Sequence, residues 1–517
     1  MFRASRVRAI SVATILGAAS LATGCVGGPD TETAPEEIQS EDEAPAMGAQ
    51  LGAAMSAEGI AIDMGLSLVK AIGGKLATDY LFPTQTLDAK QLVADIDAAV
   101  ASRLLELVLN AGKQGIGGAS RDLADAEALF RNGGTPASSL PTTITVLSTL
   151  NYVLAGVDPN APVAQQRAGT RIYALAAQLK MNTRMFRAQL DPANADAERK
   201  TLRGDLTRAI DELRQLVDAA RNDEMNARLA KVGACTTWTR REMEYCNYGP
   251  QPIMCPKIHH WMGFADVAGP GYEIEDTALG FCEVERANYV RGAEDKFANE
   301  TLNAKYAFEA RMIDGWAAAL AALEGKPAPQ SGRALSLDFL GAFGLGTDNK
   351  HYVNPLTNYI SCPTGSQESP LVGRDNVDWM ARQCTTKPNL TGEPSYDFGG
   401  YFGYWRTPIQ PPVGWACPDG FSPDAWTQIH GADGLDNPLH YCSRRHVPGT
   451  PQPFLYGGAY SRGGVDGTRS FANPATGLPT CPNGFVSTNV QGATFPDGRV
   501  KDHPITMCWK KFEPFAG

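Results

Sequence analysis

Cys481-Pro482-Asn483-Gly484-Phe485, followed by Cys508, is the last of three copies of one pattern. The earlier copies are Cys362-Pro363-Thr364-Gly365, followed by Cys384, and Cys417-Pro418-Asp419-Gly420-Phe421, followed by Cys442. Proline presets φ and glycine accepts a positive φ, so Pro-x-Gly is typical of a tight turn. The repeat therefore predicts three small units of two or three strands, each closed by one disulfide.

The cysteine count agrees with this interpretation. The chain has 11 cysteines, and an even set remains when Cys25 is set aside. Sequence alone does not determine connectivity, but the repeat favours three local pairs, 362–384, 417–442 and 481–508, each worth about 3–4 kcal/mol on the chain-entropy estimate. Cys255-Pro256, with Cys282 downstream, resembles a degenerate fourth copy. That choice leaves Cys235 to pair with Cys246.

Residues 59–325, before the repeats, are rich in Ala and Leu and carry apolar residues at helical spacing. Further helical patterns run over 169–190 and 283–323, without strand patterns between them. The two clearest stripes are Leu92, Ile96, Val100, Leu104 and Val108, and then Leu202, Leu206, Ile210, Leu213 and Val217. The sequence thus predicts an α+β multidomain protein. An N-terminal α-helical bundle over 59–325, with a cysteine-containing insertion at 235–282, precedes a disulfide-rich β/loop region over 326–517.

The N-terminus has the features of an export signal. Residues 1–24 combine three arginines with an uncharged stretch that is too short for a spanning helix. Leu21-Ala22-Thr23-Gly24-Cys25 resembles the lipobox of bacterial lipoproteins, which implies lipidation of Cys25. The alternative is an ordinary signal peptide with an incidental cysteine. Val26 after the cysteine favours the outer membrane by the same resemblance, so we expect a cell-envelope or surface location.

Residues 25–58 begin with seven acidic side chains and no Lys or Arg before residue 45, which predicts an extended acidic tether. The formal net charge of the chain is −10. This balance argues against nucleic acid as a partner, so we expect the membrane, reached through the N-terminal lipid, and a glycan or protein ligand for the C-terminal region.

No common catalytic or nucleotide-binding motif is present in the sequence, so we expect neither an enzyme nor a cofactor. Cys255 with His259 and His260 has ligand types that suit zinc, but a bridged cysteine is the favoured interpretation in an oxidising compartment. Asp433-Gly434 with Asp436 fits a plain turn better than a calcium loop. Aromatic residues such as Tyr401 and Tyr441 either fill thin cores or stack on sugars, and core filling is favoured.

The helical half resembles the N-terminal helical domain of the insecticidal delta-endotoxins, the crystal pore-forming toxins. The resemblance rests on the helix predicted over 88–109 and on Ile172-Tyr173-Ala174-Leu175-Ala176-Ala177-Gln178-Leu179, which is similar to the central helix of that family. It implies a membrane-inserting helical domain followed by β-rich recognition domains. Three departures are the 235–282 insertion, the lack of the family's β-domain sequence, and four cations in the segment that matches the central helix.

Those cations are Arg171, Lys180, Arg184 and Arg187, and they make deep insertion of this helix costly. Residues 144–157 are the better inserting candidate, but their apolar run is short, and a buried core helix is the favoured interpretation. We therefore expect a surface-anchored lipoprotein with a toxin-like, membrane-interacting or pore-forming helical bundle and a C-terminal recognition region. The alternatives are a structural or ligand-binding envelope lipoprotein without enzymatic activity, and an envelope hydrolase with a site assembled from scattered residues.

Overall fold

The computed structural model describes residues 118–119, 122, 125, 129, 140–155, 163–191, 193–246, 253–275, 279–345, 353–354, 356–371, 380–390, 392–403, 417–430, 436–463, 470–490 and 505–513. The predicted signal peptide, the lipidation site Cys25, the acidic tether and the first helical stripe, 92–108, lie outside these residues, as does the turn at Asp433.

Three helices open the described part of the chain: α1 (Leu140–Ala155), α2 (Val163–Leu190) and α3 (Ala195–Leu229). Pro192 follows α2 and cannot continue it, and Asp196 and Glu198 in the first turn of α3 complement its dipole. The predicted stripe from Leu202 to Val217 is buried along one face of α3, which confirms its role as core. α2 packs against α1 and α3, so these three helices contribute to one hydrophobic core.

The helical pattern predicted over 283–323 is present, with an interruption. It consists of α4 (Leu279–Lys296), a π-helical turn (Phe297–Leu302), the short α5 (Asn303–Lys305) and α6 (Ala307–Leu323). α6 packs against α3 and buries Trp316 completely. The π-helical turn carries Asn299, and α5 begins at Asn303, one helical turn further on.

The C-terminal part consists of small antiparallel sheets, and with the helices it makes the protein a mixed α and β structure. Each Cys-Pro-x-Gly copy belongs to one three-stranded unit in which the third strand lies between the first and the second. The strands of unit 1 are β4 (Asp338–Leu345), β5 (Gln367–Leu371) and β6 (Met380–Thr386); those of unit 2 are β7 (Tyr396–Gly403), β8 (Ser422–His430) and β9 (Asp436–Arg445); and those of unit 3 are β10 (Phe454–Tyr460), β11 (Val486–Val490) and β12 (Ile505–Lys511). Strand β10 of unit 3 also pairs with β7 of unit 2.

The three local disulfides are confirmed. Cys362–Cys384, Cys417–Cys442 and Cys481–Cys508 have Cα–Cα distances of 5.3, 5.4 and 5.4 Å. In each unit the glycine of Cys-Pro-x-Gly has a positive φ, and the amide of the next residue donates to the proline carbonyl at 3.0–3.1 Å. The same turn therefore precedes the second strand of every unit, which is β5, β8 or β11.

The other two pairings predicted from sequence are wrong. Cys235 pairs with Cys282, and Cys246 pairs with Cys255. Cys255-Pro256 does not form a turn because Pro256 lies inside a strand, opposite Met243. The spacing that suggested a fourth copy is a coincidence. Tertiary packing places Cys235 beside the helix that carries Cys282.

The repeat is longer than its cysteines indicate. Asn354-Pro-Leu-Thr and Asn473-Pro-Ala-Thr stand eight residues before the first cysteine of units 1 and 3. Each asparagine side chain donates to a carbonyl of the first strand, Leu340 O at 3.0 Å or Gly457 O at 2.9 Å. Each fills the space left by a positive-φ glycine at a β-bulge, Gly341 or Gly458. A side chain on either glycine would clash with the asparagine, so both positions require glycine.

Equivalent aromatic residues from the three units meet in one core. Phe339, Phe398 and Tyr456 each precede a bulge, and their ring centroids are 4.8–6.0 Å apart in every pairwise combination. Tyr401 and Tyr441 are fully buried beside them, which confirms core filling for these two residues. Trp405 and Trp415 lie outside the described residues.

Candidate functional site

A long hairpin projects from the helical part on a well-anchored base. It consists of β1 (Thr236–Cys246) and β2 (Ile253–Phe264), and the short β3 (Tyr272–Glu275) pairs with the base of β2. The Cys235–Cys282 disulfide joins this base to α4. Because the base is covalently tied, the projecting part has a defined orientation relative to the helices.

Asp266 ties the same base to α3 and α4. Both of its oxygens accept from Arg228, at 3.1 and 2.6 Å, and Tyr289 donates to it at 2.9 Å. Burial disfavours its charged form, but the hydrogen bonds from Arg228, the Ala268 amide and Tyr289 outweigh burial and hold the pKa of Asp266 below its ordinary value. The carboxylate is therefore ionised at neutral pH and fixes the hairpin base.

Strand alternation gives the hairpin two unlike faces. In the register of β1 and β2, Tyr245 lies opposite Met254, Met243 opposite Pro256, and Arg241 opposite Ile258. At the distal end, one face thus presents only apolar side chains apart from Arg241. We call Met243, Tyr245, Met254, Pro256 and Ile258 the distal apolar face.

The distal apolar face is open to solvent. Met243, Tyr245, Met254 and Ile258 are 56, 75, 47 and 61% exposed. They are four of the ten large apolar residues that stand exposed in the described part of the chain, and they lie together on one ribbon. A contiguous exposed apolar patch marks a surface that contacts a membrane or another protein.

The opposite face of the hairpin is polar and cross-linked. Lys257 Nζ lies 3.0 Å from Glu244 Oε2, and Arg240 pairs with Glu273 while its guanidinium lies 4.7 Å from the Trp261 ring centroid. The Cys246–Cys255 disulfide lies on this face near the tip. The hairpin is therefore an amphipathic ribbon whose two strands are held together by charge pairs and a covalent bond.

His259 is the ionisable centre of the polar face. Its side chain is 7% exposed; Nδ1 contacts Glu275 Oε1, and Nε2 lies 2.7 Å from Glu244 Oε1. The hydrogen bond to Glu275 and the charges of both carboxylates raise the pKa of His259 above its ordinary value. The hydrogen bond from Lys257 lowers the pKa of Glu244. These pKa shifts favour a charged His259 that pairs with Glu244 and Glu275 and so links β1, β2 and β3.

The metal alternative at Cys255 does not agree with this geometry, because Cys255 is disulfide-bonded and its neighbour His259 is occupied by carboxylates. Across the described ranges, no group of three or more His, Cys, Asp or Glu side chains is arranged to hold a metal ion. His446 Nδ1 lies 2.6 Å from buried Asp397, but its other nitrogen faces Glu393 at 3.9 Å. Arg444 Nε also lies 2.9 Å from Asp397 Oδ2, so the buried carboxylate is shared between protein side chains.

Sequence reasoning missed the hairpin because the 235–282 segment was interpreted only through its cysteines. The signal was nevertheless present. Apolar residues alternate at Met243 and Tyr245 and again at Met254, Pro256 and Ile258, on either side of the turn-forming sequence 247–252. Such alternation across a turn predicts an amphipathic hairpin.

No family model, no curated protein and no solved structure matches this chain. The resemblances to bacterial lipoproteins and to the delta-endotoxin helical domain therefore remain expectations. Among the helices that the structure describes, none is both long enough and apolar enough to cross a membrane.

Proposed function

We propose that this protein is a lipid-anchored envelope protein that contacts a lipid bilayer through the distal apolar face of the β1–β2 hairpin. The observation that carries the proposal is the grouping of four exposed large apolar side chains on one face of an anchored, amphipathic ribbon. This keeps the membrane-interacting role expected from sequence and assigns it to the hairpin. The recognition role of the C-terminal units is a separate part of the proposal.

Magnitudes favour a hairpin that acts together with the lipid. Complete burial of a large apolar side chain contributes about 1.5–3 kcal/mol. Four side chains that are already about half covered would thus contribute on the order of 4 kcal/mol in total. This contribution is comparable with that of a single myristoyl chain, which binds membranes only marginally. The hairpin would therefore depend on the lipid on Cys25 for stable attachment of the protein to the membrane.

The cations of α2 favour the hairpin over α2 as the membrane-contacting element. Each has a carboxylate partner within the helical part, so insertion of α2 would break these pairs and bury their charges. The pairs are Arg171 with Glu309 at 3.2 Å, Lys180 with Asp205 at 2.9 Å, Arg184 with Asp205 and with Glu198 at 3.2 Å, and Arg187 with Glu198 at 3.0 Å.

Vesicle flotation with the mature chain carrying Cys25→Ser tests the hairpin without the lipid. We expect weak binding that falls at least ten-fold when Met243, Tyr245, Met254 and Ile258 are all replaced by Ser. The matched control replaces four exposed apolar residues elsewhere, Leu129, Val267, Val353 and Val447, by Ser. It should bind like the parent protein, and peptide mapping of the five disulfides should show that all variants are folded.

Two outcomes would overturn the proposal. One is the absence of vesicle binding by the parent protein on both zwitterionic and anionic vesicles between acidic and neutral pH. The other is equal loss of binding in the hairpin variant and the control variant. Dye release measured on the same vesicles separates pore formation from surface contact, because contact alone predicts binding without release.

A further inference from the structure

The same Cys-Pro-x-Gly turn is covered in unit 3 and open in unit 1. Gly365 and Gly484 have φ of 86° and 77°, and their turns share one hydrogen-bond pattern. The preceding residue differs in surroundings, because Asn483 is 1% exposed whereas Thr364 is exposed. The difference between the units therefore lies in what packs on the turn.

In unit 3 the turn is covered by a helical segment of the same chain. Asn303 Oδ1 accepts from the Gly484 amide at 3.1 Å, and its Nδ2 donates to Phe485 O at 2.9 Å. One helical turn earlier, Asn299 accepts from the Ser487 amide at 2.8 Å and donates to Ser487 O at 3.0 Å. Two asparagines four residues apart thus bind the backbone of the turn and of β11.

This contact satisfies an open sheet edge. β11 is the edge strand of its sheet, and Ser487 lies opposite Cys508 with its own amide and carbonyl directed away from β12. An exposed row of such groups attracts another chain unless it is covered. The Asn299 and Asn303 side chains cover it.

In unit 1, none of the residues that the structure describes covers the same edge in this way. β5 is the edge strand of its sheet, and Glu368 lies opposite Cys384 just as Ser487 lies opposite Cys508. Its amide and carbonyl therefore also point outward. In unit 2 the equivalent residue, opposite Cys442, is Pro423, which has no N–H to donate. Only unit 1 can repeat the full backbone contact.

The surface beside the open turn is apolar. Tyr359 and Ile360 are 70 and 42% exposed, whereas their equivalents in unit 3, Leu478 and Pro479, are half-buried. Pro479 O accepts from Arg462 Nη2 at 2.6 Å, and Arg462 also pairs with Glu294 of α4. The unit 1 surface thus resembles a helix-binding surface from which the helix has been removed.

We propose that the exposed turn and β5 edge of unit 1 bind a helical segment of a partner protein that carries two asparagines four residues apart, as the π-helical turn and α5 do in unit 3. Charge specifies this helix further. In unit 3, Ser487 Oγ donates to Asp295, four residues before Asn299. Unit 1 has Glu368 in place of that serine. The Glu368 carboxylate lies 3.0 Å from Arg382 Nη1 but is still 45% exposed, so it can also accept from a cation of the partner, and the partner helix carries Lys or Arg at the position of Asp295. The recognised pattern is a basic residue, then asparagine four residues later, then asparagine four residues after that.

A helix-stabilised peptide of residues 289–309 with Asp295→Lys provides the probe, and fluorescence anisotropy measures its affinity for the mature chain carrying Cys25→Ser. We expect it to bind at least ten-fold more tightly than the native peptide, and Asn299→Ala with Asn303→Ala in the probe to abolish binding. In the protein, Glu368→Lys should reverse the preference between the two peptides. Asp196→Lys, an exposed charge change on α3, serves as the control and should leave both affinities unchanged.

A second variant, Glu368→Pro, imitates unit 2 and removes the amide that the first asparagine would accept from. Unit 2 forms its strands with proline at this position, so the variant should fold. It should no longer bind the probe peptide. Binding that persists in both Glu368 variants would overturn the proposal. It would mean that the probe binds unit 3, where it displaces the chain's own helical segment. Absence of binding to the parent protein would overturn it as well.

Discussion

Asn303→Ala tests how the helices hold unit 3. Asn303 Oδ1 accepts from Arg221 Nη2 at 3.0 Å as well as from the Gly484 amide, and its Nδ2 donates to Phe485 O. The Arg221 side chain is fully buried and keeps only Asn483 as a second side-chain acceptor. The substitution therefore removes one of two side-chain acceptors of a buried guanidinium, together with the hydrogen bonds to two backbone groups of unit 3.

The expected cost follows from these three contacts. A hydrogen bond to a charged group contributes about 1.5–3 kcal/mol, and a neutral one about 1 kcal/mol. The higher helix propensity of alanine offsets this loss by about 0.6 kcal/mol. Since Asn303 is only half-buried, we expect a net loss of about 3 kcal/mol in the free energy of unfolding. Asn299→Ala, which removes two neutral bonds, should cost about 1–1.5 kcal/mol.

Urea unfolding followed by far-UV circular dichroism and by tryptophan fluorescence measures these losses. The matched control is Gln215→Ala, which removes an exposed glutamine side chain from α3 and should change stability by less than about 0.5 kcal/mol. If Asn303→Ala costs no more than Gln215→Ala, the contact with unit 3 does not stabilise the fold and the reasoning fails.

Three further predictions concern other parts of the chain. Replacing Cys417 and Cys442 together by Ala opens a loop with a sequence separation of 25 and should cost about 3.5 kcal/mol; non-reducing peptide mapping should find the other four bridges intact, and a peptide that joins two units would contradict local pairing. Burial raises the pKa of Asp218 to about 7 against the opposing charges of Arg214 and Arg221, so the folded state holds a proton that the unfolded state has lost between about pH 4 and 7. Stability from this group is present at low pH and is lost as pH rises, and the advantage of Asp218→Asn over the parent should grow by about 1.4 kcal/mol per pH unit in that window; a difference that stays constant with pH would refute this assignment. Cys25→Ser should move the protein from the membrane fraction to the soluble fraction on cell fractionation, and unchanged membrane association would exclude lipidation at Cys25 as the anchor.

Short-range patterns were readable without coordinates. The stripe from Leu202 to Val217 predicted a buried helix face because helical periodicity depends only on neighbours along the chain. The repeated Cys-Pro-x-Gly predicted three turns and three disulfides for the same reason. The Cys255–Cys282 and Cys235–Cys246 pairs failed because spacing was used where no turn exists.

The candidate site needed the tertiary structure. Alternation of Met243 with Tyr245 already indicates an amphipathic strand, but only packing shows that the apolar side of the ribbon is left in solvent. The turns of units 1 and 3 have nearly the same local sequence, yet one is buried under Asn299 and Asn303 and the other is open. Sequence by itself determined the turns and the helix stripe, because these depend on bonded neighbours and backbone preference, and its repeat favoured the three local disulfides that the structure shows. Which surfaces are covered was decided only by tertiary packing, because burial depends on residues that are distant along the chain.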